Sequence, residues 1–168
     1  IVDTPGDSNF SFDTQNCLRI VDGAVVVVDA VGGVEFQTQK VWEYADEYKL
    51  PRIVFINRMD RERADFFKAL ASIDEKIKVK TTPLYLPIGK EDGFKGLIDL
   101  LNMKACLFEG AKGACKMEEI PADLVEEANQ YRETLVEDIA ETDEALMEHY
   151  LDAGELGQDD LIKGLRQA

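Results

Sequence analysis

The sequence "AVVVVDA" at residues 24–30 gives the strongest indication of the fold, because a continuous β-branched run is typical of a strand buried on both faces of a parallel sheet. A second such run, "PRIVFIN", occupies residues 51–57, and residues 35–49 between the two place apolar side chains at helical spacing. Ile1-Val2 reads as the end of an earlier strand, and residues 8–22 carry a weak helical pattern. The order strand, helix, strand, helix, strand predicts an α/β fold with a doubly wound parallel sheet.

The pattern changes after Asp60. Residues 61–80 are mostly charged and predict a helix, whereas residues 81–89 are extended and interrupted by prolines. The apolar residues of 96–108 fit either a hairpin or a helix. Residues 110–115, "GAKGAC", read as a flexible turn.

Helical signals dominate from Pro121 onward. Proline is favoured at the first position of a helix, and the apolar residues that follow it recur at helical spacing. Shorter helices are predicted at residues 143–152 and 158–167. Half of an α/β domain at residues 1–65 and a small α+β unit at residues 66–168 are therefore expected. The apolar face of the first of these helices comprises Leu124, Ala128, Tyr131, Leu135 and Ile139.

The net charge of −15 is distributed unevenly along the chain. Residues 1–80 contain 14 acidic and 11 basic residues, whereas residues 81–168 contain 20 acidic and 8 basic ones. Such an acidic second half argues against a phosphate-binding surface there. It suits either a solvated face or a site for a basic protein partner.

Other residue types exclude several classes of protein. The three cysteines show no CxxC spacing, so we expect reduced thiols of a cytoplasmic protein. His149 is the only histidine, which excludes a His-rich metal site. The longest apolar run, residues 24–28, is too short to span a bilayer, and no signal peptide precedes it, so no membrane role is expected.

Polar residues follow each predicted strand. "DTPG" at residues 3–6 follows the first strand, and "NRMD" at residues 57–60 follows the third. Ligands of such sheets bind at the carboxyl ends of the strands, so both loops are candidates for one site. Asp29 to Gly33, after the middle strand, read as a turn in which Asp29 is a cap or loop acid.

The DTPG loop suits the phosphate end of a nucleotide. A carboxylate at Asp3 can hold a Mg²⁺-bound water beside phosphates. Gly6 can bring its backbone N–H close to a terminal phosphate, because no Cβ intervenes. By itself, this pattern also fits an ordinary Pro-Gly turn.

The NRMD loop suits a guanine base. The carboxylate of Asp60 can accept hydrogen bonds from both N1–H and the N2 amino group of guanine, a pair of donors that adenine lacks. Asn57 can tie the base to neighbouring loops, and Arg58 can stack over the ring. The two motifs in this order, with a helix and a strand between them, predict a guanine-nucleotide site.

Together, DTPG and NRMD resemble the third and fourth guanine-nucleotide motifs of GTPases. The stretches "LRIVDGAVVVVDAVGGVEFQTQKVWEYADEYKLPRIVFINRMDRERADF" and "IPADLVEEANQYRETLVEDIAETDEALMEHYL" resemble bacterial translation elongation factor G, the second stretch resembling its inserted G′ subdomain. The resemblance implies a GTPase that uses GTP, GDP and Mg²⁺, engages the ribosome with its rRNA, and promotes tRNA–mRNA translocation. The implied nucleotide-binding residues are Asp3, Thr4, Pro5, Gly6, Asp7, Asn57, Arg58, Met59 and Asp60.

The sequence departs from that family in two ways. It contains no G-x-x-x-x-G-K-[ST] match, so we expect a middle fragment that lacks the first strands of its sheet, binds GTP weakly and associates through an exposed sheet edge. Where the family has D-T-P-G-H-V-D-F, this chain has D-T-P-G-D-S-N-F. Asp7 therefore replaces the family histidine as the candidate catalytic residue, and slow hydrolysis is expected because a second carboxylate adds repulsion.

Two further expectations follow from the resemblance. The acidic insert, with Glu126, Glu127, Glu133 and Glu137, is a candidate surface for the ribosomal stalk protein, against the alternative of a plain solvated face. A divergent paralogue that hydrolyses GTP poorly and acts as a ribosome-binding module is the rival function. An ATP-binding unit is a third alternative, which Asp60 disfavours.

Overall fold

A computed structural model describes residues 1–110 and 114–167 of the chain. These residues form two compact units: the first comprises Ile1–Thr81 with Lys90–Asp92, and the second comprises Thr82–Gly89 with the chain from Gly93 onward. The first unit extends beyond residue 65, and the domain boundary at that point stays a prediction. Residues 111–113 of the predicted turn lie outside the described residues.

From its first helix onward, the first unit alternates helices and strands as predicted. A parallel pair of strands needs a crossover connection, and here a helix between the two strands supplies it. The elements are a 3-10 turn at Ser8–Phe10, α1 (Ser11–Leu18), β1 (Ala24–Asp29), α2 (Phe36–Glu47), β2 (Arg52–Asn57) and α3 (Phe66–Ile77).

β1 and β2 form a two-stranded parallel sheet with Ala24 opposite Arg52 and Asp29 opposite Asn57. One face of the sheet packs against the helices. Val26 and Val28 of β1 form a buried cluster there with Trp42 of α2 and Ala69 of α3. The α/β class is confirmed, and this cluster is the core that holds the two strand ends in place.

The other face of this sheet is exposed, so the prediction of strands buried on both faces is wrong. Val25 and Val27 are 65% and 57% exposed, and Ile53 and Phe55 are 61% and 55% exposed. The physical reason is that both helices of the buried cluster lie on the same face. The β-branched composition therefore predicted the strands correctly, but it did not predict which of their faces are buried.

The segment before the first helix is not a strand, contrary to the prediction for Ile1-Val2. Residues 1–6 adopt neither helix nor strand, and Ile1 is fully exposed. A strand requires a neighbour to complete its hydrogen-bond ladder, and β1 is paired only with β2 in the described residues. The Thr14 hydroxyl of α1 reaches the Pro5 carbonyl at 3.5 Å, a long contact that links this segment to the rest of the unit.

The second unit combines an antiparallel sheet with helices. Its four described strands follow each other in the order β3-β4-β5-β6, which confirms the hairpin alternative for residues 96–108. The last strand is not predicted from the sequence, because its five residues overlap a glycine-containing turn and a charged stretch. The elements are β3 (Tyr85–Ile88), β4 (Gly96–Asp99), β5 (Lys104–Glu109), β6 (Ala114–Glu118), α4 (Val125–Ala140), α5 (Glu144–Ala153) and α6 (Gln158–Leu165).

The helix α4 has the apolar face that the sequence predicts. Ala128, Leu135 and Ile139 are buried, and Leu124 and Tyr131 are half-buried. The helix begins at Val125 rather than Pro121, because residues 121–124 form a turn in which the Leu124 N–H donates to the Pro121 carbonyl at 2.9 Å. Among the described residues, no helix is both long enough and apolar enough to cross a membrane.

Two of the three cysteines are joined, so the expectation of three reduced thiols is wrong. Cys106 of β5 and Cys115 of β6 form a disulfide, with their Cα atoms 5.4 Å apart. The register explains why: Cys106 lies opposite Met117 and Cys115 opposite Phe108, which puts both side chains on the same face of neighbouring strands. Without a prediction of β6, the spacing of the two residues offers no reason to pair them. Cys17 remains free.

Candidate functional site

A cavity of about 500 Å³ lies beside β1 in the first unit. Residues 2–6 line it, as do Asp29 at the end of β1 and Asn57 and Arg58 at the end of β2. Its volume is in the range of small-molecule sites. The loops that follow the two strands therefore reach one cavity together with the DTPG segment.

Backbone hydrogen bonds tie the two strand-end loops to each other. The Ala30 N–H donates to the Asn57 carbonyl at 2.9 Å, and the Asp65 N–H donates to the Ala30 carbonyl at 3.0 Å. Ala30 thus contacts the chain both where the NRMD loop starts and shortly after it ends. These two hydrogen bonds therefore fix the chain on both sides of the loop.

Asp29 organises the loop after β1. Its Oδ1 accepts hydrogen bonds from the N–H groups of Val31 and Gly32, at 2.8 and 3.1 Å. Its Oδ2 accepts from Nη1 of Arg58 at 2.7 Å. The hydrogen bond from Arg58, followed by those from Val31 and Gly32, holds the pKa of Asp29 below its ordinary value. The prediction that Asp29 caps a turn is confirmed. Its ion pair with Arg58 was not predicted from the sequence.

Arg58 has an unusual backbone conformation. Its φ of +65° lies in the left-handed region, which few residues other than glycine adopt. The side chain of the preceding Asn57 accepts a hydrogen bond from the Arg58 N–H at 2.8 Å. Asparagine at this position therefore stabilises the turn that aims the next side chain, a role separate from any contact with a base.

Glu91 holds the NRMD loop from its other side, and no motif in the sequence signals this. The Glu91 N–H donates to the Met59 carbonyl at 2.9 Å, and its Oε1 accepts from the Arg63 N–H at 2.8 Å. Both Glu91 and Arg63 have positive φ, at 53° and 68°. Met59 itself is buried. The base of the loop is therefore anchored by a residue about thirty positions later in the sequence.

The predicted site residues separate into two groups. The residues that line the cavity are Asp3, Thr4, Pro5, Gly6, Asn57 and Arg58. Met59, Asp60 and Asp7 are outside its lining. Asp60 is exposed beyond the buried Met59, at the tip of the loop. Asp7 accepts a hydrogen bond from the Asn9 N–H at 2.8 Å and so caps the 3-10 turn.

The donor groups of the DTPG segment suit a hard cation held through water. The exposed carboxylate of Asp3 and the hydroxyl of Thr4 supply oxygen, which Mg²⁺ prefers, and Mg²⁺ commonly keeps several waters in protein sites. A Cβ added at Gly6 would meet no atom within 4 Å, so space is open beside this backbone. No group of three or more His, Cys, Asp and Glu residues in the described part of the chain could hold a metal by itself.

Comparison with known proteins shows the family of the chain. Residues 1–155 match the family described as "Elongation factor Tu GTP binding domain". A solved structure from Thermus thermophilus matches with a TM-score of 0.86 and 31% sequence identity, over 96% of this chain. This chain spans 24% of the length of that one. Because the family match covers most of the chain, the protein belongs to the family of the elongation factor Tu GTP-binding domain, whose members are translational GTPases.

Proposed function

We propose that this chain is part of a cytoplasmic translational GTPase of the elongation factor G type, which binds and hydrolyses GTP on the ribosome to promote tRNA–mRNA translocation. The main support is the meeting of the DTPG segment and the NRMD loop at one cavity. Family membership supports guanine-nucleotide binding in general. The resemblance of residues 66–168 to the G′ insert favours elongation factor G over other translational GTPases.

Guanine recognition in this proposal depends on the NRMD loop. Asp60 accepts from the two donors on the edge of guanine, and its exposure leaves it accessible to a base. Asn57 shapes the turn, and Arg58 lies over the ring. Met59 supports the shape of the loop and does not contact the base. Its side chain is buried, and its carbonyl accepts a hydrogen bond from the Glu91 N–H.

The DTPG segment serves the phosphates. Asp3 would hold a water of the bound ion, with Thr4 beside it. At Gly6 even an added Cβ would meet no atom within 4 Å, which leaves room for a phosphate beside this backbone. When bound, Mg²⁺ neutralises charge that develops on the phosphates. Pro5 restricts the backbone between these groups.

Hydrolysis by this protein is proposed to be slow. Asp7 stands where the family has a histidine, and its carboxylate caps the 3-10 turn rather than lining the cavity. The chain therefore offers no imidazole at this position to orient the attacking water, and a carboxylate brought from there toward the phosphate would add like charge to a site that must stabilise negative charge. This observation also favours the rival function, a paralogue that binds the ribosome with little GTP turnover.

The first test of guanine recognition is Asp60→Asn in the full-length protein. We expect GDP affinity to fall at least about a hundredfold, because the amide loses the carboxylate's paired acceptors, while affinity for XDP rises because xanthine carries a carbonyl where guanine has an amino group. Equilibrium titration with fluorescent GDP and XDP analogues measures both. Glu62→Gln, which removes a neighbouring carboxylate, is the matched control and should change neither affinity. An unaltered GDP affinity in Asp60→Asn would exclude this role.

The role of Asp7 is tested by restoring the family residue. We expect Asp7→His to raise ribosome-stimulated GTP turnover of the full-length protein by a factor of roughly ten to a hundred, because a positioned histidine can orient the attacking water. Asp7→Asn keeps an acceptor for the Asn9 N–H and removes the charge, so it separates capping from catalysis. Wild-type turnover at the rate of an ordinary elongation factor G would contradict slow hydrolysis. Unchanged turnover in Asp7→Ala would rule out a catalytic Asp7.

The acidic face of α4 is the proposed contact for the ribosomal stalk protein. Its glutamates are exposed, and the charge of this half of the chain favours a basic partner. Reversing Glu133 and Glu137 to lysine should weaken binding of the stalk protein's C-terminal domain about tenfold, measured by titration calorimetry. Reversing Glu43 and Glu47 on α2 is the matched control, because it changes the charge by the same amount at the same spacing and should leave this binding unchanged. Equal effects of the two double reversals would favour a plain solvated face. The four glutamates are Glu126, Glu127, Glu133 and Glu137.

The 168-residue chain by itself should bind GTP with a Kd above about 1 μM, since it contains no phosphate-binding G-x-x-x-x-G-K-[ST] loop. It should also self-associate through the open face and edge of the two-stranded sheet. A fluorescent GTP analogue tests the first expectation and sedimentation velocity the second. Phe55→Lys should reduce association, because it places a charge on the exposed apolar face. Sub-micromolar GTP binding, or a monomer at all concentrations, would contradict the respective expectation.

A further inference from the structure

We propose that Asp29 is a positioning residue for nucleotide binding, which acts by holding the guanidinium of Arg58 at the edge of the cavity. The proposal rests on the proposed function, since it assigns Asp29 a part in that same site. Both residues line the cavity. Asp29 lies directly opposite Asn57 in the sheet, so the parallel register brings its carboxylate beside the residue that follows Asn57.

The two oxygens of Asp29 make different contacts. Oδ1 is held by the N–H groups of Val31 and Gly32, within its own loop. Oδ2 is left to accept from Arg58, at 2.7 Å. Because the backbone fixes the plane of the carboxylate through Oδ1, the direction in which Oδ2 accepts is fixed too. The carboxylate therefore imposes an orientation on the group that binds it.

Arg58 depends on such a partner. Its side chain is about half exposed and has several rotatable bonds, so without a fixed acceptor the guanidinium would sample many directions. The left-handed backbone of Arg58 fixes only where the side chain leaves the loop. The contact described for Asp29 uses one terminal nitrogen, and it leaves the planar faces of the guanidinium available for stacking on a purine ring.

The pair works specifically with arginine. A lysine at position 58 would keep the attraction to Asp29 as a point charge, but it has no planar group to present to a base. Asp29 therefore matters for binding only as far as it restricts the guanidinium. A residue that acts in this way should lose its effect when Arg58 is removed, whereas a residue that merely stabilises its own loop should keep it.

A double-mutant cycle in the full-length protein separates these two roles. Asp29→Asn keeps an oxygen that can accept from Val31 and Gly32, and it removes the charge that holds Arg58. Affinity for a fluorescent GDP analogue is measured in the wild type, in Asp29→Asn, in Arg58→Ala and in the double variant. We expect Asp29→Asn to weaken GDP binding about fivefold when Arg58 is present. In the Arg58→Ala background, the same substitution should weaken it less than about twofold. Asp22→Asn, which removes an exposed acid of the same unit, should have no effect.

Each outcome has one meaning. Equal weakening by Asp29→Asn in both backgrounds would overturn the positioning role, since the effect would then not pass through Arg58. An unchanged GDP affinity of Asp29→Asn in the protein that keeps Arg58 would overturn the positioning role as well. A wild-type protein that binds no GDP would overturn the proposed function, and this proposal with it. Asp29→Ser also keeps an acceptor for the loop, and it provides a second cycle if Asp29→Asn folds poorly.

Discussion

The parallel pairing of β1 with β2 is the constraint on which the rest of the first unit depends. Parallel strands end at the same edge, and the register puts Asp29 opposite Asn57. The contacts that shape the site follow from this pairing. They include the hydrogen bonds of Ala30 and the ion pair between Asp29 and Arg58. The buried cluster of Val26, Val28, Trp42 and Ala69 holds the pairing in place. A shift of one residue in this register would turn Val26 and Val28 away from the helices and separate Asp29 from Arg58.

Much of the fold could be predicted from the sequence, because the strongest signals are local and periodic. The runs at residues 24–30 and 51–57 are strands, and the helices at 35–49 and after residue 121 are close to where spacing places them. Two features could not be predicted in this way. Strand β6 consists of five mostly exposed residues, which show no alternation of buried and exposed side chains. The exposure of one face of the first sheet was also not predictable. It depends on where the helices pack, and the residues of β1 and β2 are apolar on both faces.

The candidate site could be predicted in part, for a related reason. The residue types in DTPG and NRMD indicate the chemistry, and the order of elements indicates that their loops share an edge. The contact of Asp29 with Arg58 and that of Glu91 with the NRMD loop could not be predicted, because each joins residues distant in sequence. Asp29 reaches Arg58 across the sheet, and Glu91 reaches the Met59 carbonyl from beyond the end of α3. Motif residues therefore mark where a ligand binds, while the residues that hold those motifs in shape become visible only in three dimensions.

The burial of Trp42 has a practical consequence. It is the only tryptophan in the chain, and it lies in the core of the first unit with the Arg52 guanidinium 4.6 Å from its ring centroid. The Asp46 carboxylate is paired with the same guanidinium at 2.7 Å. Indole emission consequently provides an intrinsic optical reporter of the packing between α2 and the sheet. Structural changes confined to the second unit, which contains no indole, would be silent in that signal, so spectroscopy can follow the first unit without any added label.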